Sequence, residues 1–247
     1  IVPMVSPYDY SKMDVTALHQ GPSAAHWFGT DDLGRDIFTR VFYGGRYSLS
    51  ISIAAVAFST VIGLFLGATA GYFGGTYDTL VMRSLDIIQA IPSILLTIII
   101  SAALGVGIDK TIIAISVGTI PSNVRLLRGT VMQTRENQYL EAAEAIGCSV
   151  PRRILKYVIP NSCSPLIVSA TMGIAKMILE LAALSYIGLG VPASIPEWGS
   201  MLSNARGFLR DYPYMLVFPG LFIALSVLSL NMIGDGLRDA LDPKLKD

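Results

Sequence analysis

From Tyr47 to Tyr77 the chain carries no charged residue. As a helix, a run of that length crosses a hydrocarbon core of about 30 Å, and in lipid only a helix or a closed barrel satisfies every backbone polar group. A second uncharged run covers Ile87 to Ile108, with a bend or break expected near Pro92. A third starts at Thr111 and is cut short by Arg125 and Arg128, which should snorkel to the interface or pair within the bundle. Pro121 is expected to kink it. Ser164 to Ile187 and Tyr212 to Gly234 supply a fourth and a fifth span, the latter containing Pro219 and closing at Asp242-Pro243. The expected fold is all-α and polytopic, with five visible spans. Composition agrees: 15% of residues are charged and 52% hydrophobic, against about 25% charged in soluble domains. Net charge is zero, so nothing points to nucleic acid.

The domain reading divides the chain at residue 46. Residues 1–46 form an extracytoplasmic segment and residues 47–247 a membrane domain. In the first, Thr30 is expected to cap a helix with Asp31 and Asp32 in its first turn, Leu33, Ile37 and Val41 along one side, and Gly44-Gly45 as its end. His19 and His26 stand seven apart without a Cys or a helical i, i+4 spacing, so no metal site is read from them. Within the first span Gly63, Gly67 and Gly71 recur every four residues, a small-residue face that admits a second helix closely. That helix belongs either to this chain or to a related subunit. Lys176 and Glu180 lie one turn apart in the fourth span and are read as an ion pair facing the bundle.

Between the third and fourth spans lies a loop of mixed charge, residues 136–160. Leu140, Ala143 and Ile146 recur at helical spacing, and Gly147 follows as a stop. Ser149 can cap a second helix with Pro151 in its first turn. Ile154, Leu155 and Val158 give that helix an apolar face, and Pro160 is expected to close it. An amphipathic hairpin hung between membrane spans needs something to dock against. Placing the N-terminal segment outside puts this hairpin in the cytoplasm, with ten Lys and Arg on its side, Arg238, Lys244 and Lys246 among them, against seven outside. Cys148 and Cys163 are then free thiols on the reducing side.

No covalent chemistry is legible. There is no Walker A sequence, since Lys110-Thr111 follows Asp109 where the phosphate loop needs glycine. HExxH and GxSxG are absent, and both histidines precede every span. The chain is read as no enzyme, with no catalytic residue, no metal and no cofactor of its own. Energy for active transport must enter from another subunit.

Glu141, Ala142, Ala143, Gly147 and Pro160 stand at the spacing of the EAA loop and resemble that loop in the membrane subunits of binding-protein-dependent ABC importers. Tyr157 departs from the aliphatic residue usual there. HWFGTDDLGRD at 26–36, LSYIGLG at 184–190, PEWGSML at 196–202, FPG at 218–220 and GDGLRDALDP at 234–243 are similar to the second, C-type permease of the dipeptide, oligopeptide and nickel importers. The resemblance covers essentially the whole chain. It implies the type I ABC importer transmembrane fold with six spans, the first lying upstream of Ile1. It also implies a heterodimer with a homologous permease, two cytosolic ATP-binding subunits holding ATP and Mg, and an extracytoplasmic solute-binding protein. The location implied is a bacterial or archaeal cytoplasmic membrane. Glu141 to Pro160 would dock in a groove of the ATPase and drive alternating access. Glu180 sits one residue before the family's usual acidic position, so no substrate role passes to it.

Peptides are the expected cargo, with nickel or a metal chelate as the alternative. Of other classes, a secondary transporter would show inverted repeats with broken helices, and none is evident. A structural subunit of a different membrane complex would explain the glycines and the hairpin without transport.

Overall fold

The computed structural model describes residues 6–241, so Asp242-Pro243, Lys244 and Lys246 lie outside the described residues. Eleven α-helices are numbered here in chain order: α1 Ile37–Phe73, α2 Gly75–Gln89, α3 Ser93–Leu104, α4 Ile108–Val117, α5 Ile120–Arg135, α6 Gln138–Ala145, α7 Val150–Arg153, α8 Ile159–Ser162, α9 Ser164–Tyr186, α10 Trp198–Ala205 and α11 Tyr214–Leu241. Short 3₁₀ turns occupy Val15–Ala17 and Arg206–Phe208. The fold is all-α, as composition and spans require.

Among the described residues α1, α9 and α11 are long and apolar enough to cross a membrane alone. The bent pair α2 and α3, which meet at 85°, makes a fourth crossing if taken together. The bend or break expected near Pro92 is present, because Pro92 lies in the short gap between α2 and α3. The expected third span is two helices, neither reaching the roughly 20 residues of a single-helix crossing. Pro121 does not kink a continuous helix there. It occupies the first turn of α5, where its missing N–H costs nothing.

Two compact units are distinguished. The first comprises the described residues up to Ala54 with Ile98–Ala114 and Ile174–Ser229. Here the expected helix start is corrected. α1 begins at Ile37, not after Thr30, because Asp36 is the better cap: its Oδ2 accepts from the Thr39 N–H at 2.8 Å and from the Thr39 hydroxyl at 2.6 Å. Thr30 is buried and anchors the preceding loop, its hydroxyl donating to the Ala17 carbonyl and accepting from the Gln20 N–H at 2.8 Å. Asp31 folds the tight loop to Arg35, accepting from the Leu33 and Arg35 N–H groups at 2.9 Å each and pairing with Arg35 Nε at 2.7 Å.

Gly44-Gly45 does not end the helix either. A Cβ on Gly44 would stand 2.0 Å from the Pro196 carbonyl oxygen, and one on Gly45 would stand 3.0 Å from the Trp198 ring. These glycines let α1 touch the segment that opens α10. Glu197, fully buried, caps α10 through the Gly199 and Ser200 N–H groups at 3.0 and 2.9 Å and accepts from the Ser48 hydroxyl at 3.1 Å. Trp198 Nε1 donates to the Val41 carbonyl at 2.8 Å. The Phe28 and Phe218 rings stack at 3.9 Å. Two of the multi-residue stretches singled out in the sequence, HWFGTDDLGRD and FPG, therefore pack on one another.

The second unit comprises Ala55–Thr97, Ile115–Gly173 and the described residues from Leu230 onward. Its centre is the crossing of α1 with α5. A Cβ on Gly63 would lie 2.6 Å from Asn123 Cβ, on Gly67 2.7 Å from the Val124 carbonyl oxygen, and on Gly71 2.8 Å from the Arg128 carbonyl oxygen. The glycine face is filled by this chain's own α5, which takes it away from a second subunit. Arg128 makes a two-pronged contact with Asp78 on α2, and Arg125 Nη2 lies 2.6 Å from Asp86. The arginines that shorten the third span thus find carboxylates on α2.

Candidate functional site

The loop over residues 136–160 is a helical hairpin in the second unit. α6 starts after Asn137, whose backbone is extended at φ −78°, ψ 136° and whose side chain makes no cap bond. It ends in a Schellman motif: the Cys148 N–H reaches the Ala143 carbonyl at 3.0 Å, and the Gly147 N–H reaches the Glu144 carbonyl at 2.9 Å. Gly147 sits at φ +77°, the left-handed conformation that glycine adopts without strain. A Cβ there would meet no neighbour within 4 Å, so backbone conformation alone selects the residue.

The second arm opens at Ser149, extended at φ −65°, ψ 148°, with Pro151 in the first turn as expected, though the Ser149 side chain makes no cap bond. Pro160 does not close this arm. The chain remains helical from α7 through a π turn at Ile154–Val158 into α8, and the regular pattern breaks only at Cys163. The π turn moves the Ile159 N–H onto the Ile154 carbonyl, a five-residue step, just before the proline that has no N–H to give.

The inner face of the hairpin joins a cluster in which Leu140, Ile154 and Val158 pack with Ala68, Leu127, Val131 and Leu166. Tyr157, the departure from the family's aliphatic residue, packs against the edge of this cluster. Burying each large aliphatic side chain contributes about 1.5–3 kcal/mol, enough to fix the hairpin on α1 and α5. Arg153 ties the arms together, its Nη1 2.6 Å from Glu144 Oε2 and its guanidinium 5.9 Å over the Tyr72 ring. The hydrogen bond to Glu144 raises the pKa of Arg153 above its ordinary value.

The outer face is different. Glu141 and Ala142 are exposed, and Ile146 and Leu155 show 84% and 61% of their surface. Of the predicted coupling residues, Ala143 is buried, while Glu141, Ala142, Gly147 and Pro160 lie at the surface. Sequence reasoning did not single out Ile146 and Leu155 as an exposed pair. By spacing both belong to the periodic apolar faces, and only the orientation of each arm separates them from Leu140 and Val158.

The remaining singled-out residues lie elsewhere. Lys176 Nζ is 3.5 Å from Glu180 Oε1 in α9, with the lysine side chain 57% exposed and the glutamate 12%. His26 Nδ1 lies 3.0 Å from Asp36 Oδ1, whereas His19 stacks on Tyr212 with ring centroids 4.4 Å apart. The two histidines thus belong to separate clusters.

Residues 39–247 match the family of binding-protein-dependent transport system inner membrane components. Over 244 residues the chain is 48% identical to the dipeptide transport system permease protein of Alkalihalophilus pseudofirmus, covering 99% of this chain and 80% of that protein. It is 41% identical to the oligopeptide transport system permease protein of Bacillus subtilis, with the same coverage. To a glutathione transport system permease protein of Escherichia coli it is 44% identical over 243 residues, 98% of this chain and 80% of that one. Among solved structures, inward-facing conformations of a methionine ABC transporter superpose with a TM-score of 0.65 at 19% identity, over 82% of this chain and 96% of that chain. An amino acid ABC transporter superposes with a TM-score of 0.62 at 14% identity, over 83% and 95%. These likenesses identify the fold as that of an ABC transporter transmembrane domain. The chain belongs to the binding-protein-dependent transport system inner membrane components, as a multi-pass ABC transporter permease of the C type.

Proposed function

We propose that this chain is a permease subunit of an ATP-driven importer of dipeptides or oligopeptides, coupled to cytosolic ATPases by the hairpin from Glu141 to Pro160. The observation that carries the coupling role is the division of the hairpin into two faces. Leu140, Ile154 and Val158 hold it on the helices, while Ile146, Leu155 and Glu141 are exposed. An apolar pair presented on a rigid polar loop suits a protein groove. Cargo is inferred from relatives whose names specify dipeptide, oligopeptide and glutathione transport.

The assembly consists of this chain, a homologous permease, two ATP-binding subunits that hold ATP and Mg, and an extracytoplasmic solute-binding protein, in a bacterial or archaeal cytoplasmic membrane. ATP closes the ATPase dimer, the hairpin moves with its groove, and the spans exchange inward- for outward-open states. This chain itself catalyses no reaction.

The test is ATPase activity of the full-length chain co-expressed with its neighbouring permease, ATPase and binding-protein genes and reconstituted in lipid. Stimulation by short peptides with the binding protein is the expected result. Stimulation by nickel chelates alone would move the cargo to metal. Failure of any ATPase to associate would remove the importer reading in favour of a structural subunit.

A further inference from the structure

The second unit carries an open, solvent-facing cavity of about 710 Å³ between α5, the end of the hairpin, the start of α9 and the end of α11, with Gln133, Asn161 and Arg238 exposed along it. That size lies within the range of small-molecule sites, about 300–1,000 Å³. Its polar lining includes Thr130, Gln133, Asn161, Ser164 and Ser169, with Arg238 as the one charged side chain. No carboxylate lines it among the described residues, and Arg238 forms no ion pair with any of them.

The lining also has hydrogen-bonding capacity to spare. The Asn161 Nδ2 donates to the Tyr157 carbonyl at 2.6 Å, which leaves its Oδ1 to accept. Thr130 gives its proton to the Leu127 and Ser162 carbonyls at 2.9 and 3.2 Å and keeps its lone pairs. Gln133 supplies both a donor and an acceptor. A guanidinium matches a carboxylate in a two-pronged contact, and amide and hydroxyl groups around it match a peptide bond.

We propose that this cavity binds a short peptide through its terminal carboxylate, held by Arg238, with Gln133 and Asn161 on the peptide backbone. Dipeptides, oligopeptides and glutathione, the solutes named for the relatives, share a free carboxylate beside an amide. The proposal rests on the importer reading for its substrate class and for the cytoplasmic side on which the hairpin stands. It makes the cavity an exit-side station, one wall of which is the tail of the coupling hairpin at Asn161 and Ser162.

The test titrates Ala-Ala and its C-terminal amide into the purified full-length chain in lipid nanodiscs, without ATPase or binding protein. Ala-Ala is expected to bind roughly tenfold or more tightly than the amide, as loss of a charge-assisted hydrogen bond implies. Arg238→Gln is expected to erase that difference, while Arg83→Gln, an exposed arginine outside the cavity, leaves it intact. Gln133→Ala gives a second variant should Arg238→Gln fail to fold, and is expected to weaken the acid and the amide alike. Absence of peptide binding, equal binding of acid and amide, or an unchanged Arg238→Gln variant would overturn the proposal. Displacement of Ala-Ala by glycerol phosphate at equal concentration would assign the cavity to lipid headgroups and also overturn it. None of these readings needs an ATPase. Failure here with peptide-stimulated ATPase intact rejects the cavity alone, and failure of ATPase association leaves this binding measurement standing.

Discussion

Arg153 Nη1 stands 2.6 Å from Glu144 Oε2, so a single ion pair closes the hairpin across the Gly147 turn. Its two partners sit on different arms, Glu144 on α6 and Arg153 on α7. Glu144 is largely open to solvent, so the pair sets geometry more than stability. Arg153→Glu and Glu144→Arg are each expected to lower ATP-driven uptake with little loss of assembled complex. The double exchange should recover much of it. Uptake in proteoliposomes, normalised to ATP hydrolysed, checks this, and equal defects in the single and double variants would count against the bridge.

Gly147 separates backbone conformation from packing. Its φ of +77° costs an ordinary residue about 1–2 kcal/mol, yet the space around it is open. Gly147→Asn is therefore expected to retain most transport, because asparagine visits the left-handed region readily. Gly147→Val should lose coupling while the chain still inserts. A measured uptake-to-hydrolysis ratio that is the same for both variants would contradict this.

The crossing of α1 and α5 predicts the opposite dependence. Gly67→Ala forces a Cβ to 2.7 Å from the Val124 carbonyl, so the helices must part. Overpacking of this kind costs about 1–3 kcal/mol, or about 2–4 °C in melting temperature per kcal/mol. Gly129→Ala, in the same α5 but with nothing within 4 Å, is expected to be neutral or slightly stabilising. Thermal unfolding in detergent compares the two.

Burial raises the pKa of the Cys163 thiol. A raised thiol pKa leaves less thiolate at a given pH, so alkylation is displaced upward in pH. In a Cys148→Ser background the labelling midpoint of Cys163 with a maleimide should lie above the roughly 8.5 of a free cysteine. A midpoint at or below that value would show that Cys163 is not shielded.

Much of this fold was legible because its signals are local and physical. Absence of charge from Tyr47 to Tyr77 implies lipid, and the four-residue glycine spacing implies a close helix crossing. Gly147 after Ile146 implies a left-handed cap. What the chain did not disclose depends on distant partners. Thr30 and Asp36 both make sound N-caps by type, and only the pull of Ala17 and Gln20 on Thr30 decides between them. Gly44-Gly45 reads as a stop until Pro196 and Trp198 arrive from far along the chain to occupy the space. Pro160 reads as a terminator because the π turn that precedes it has no sequence signature of its own. The exposure of Ile146 and Leu155 was equally hidden, since periodicity marks an apolar face without saying what covers it.

The central claim is that the outer face of the hairpin meets the ATPase. A photo-crosslinking residue at position 146, in the full-length chain co-expressed with its neighbouring genes, tests it most directly. The expected product is a covalent adduct with a Walker-A-bearing subunit, weakened when ATP changes the state of the ATPase dimer and absent when the probe is moved to the buried position 158. An ATPase that co-purifies yet gives no adduct from position 146 would contradict the docking role of this hairpin.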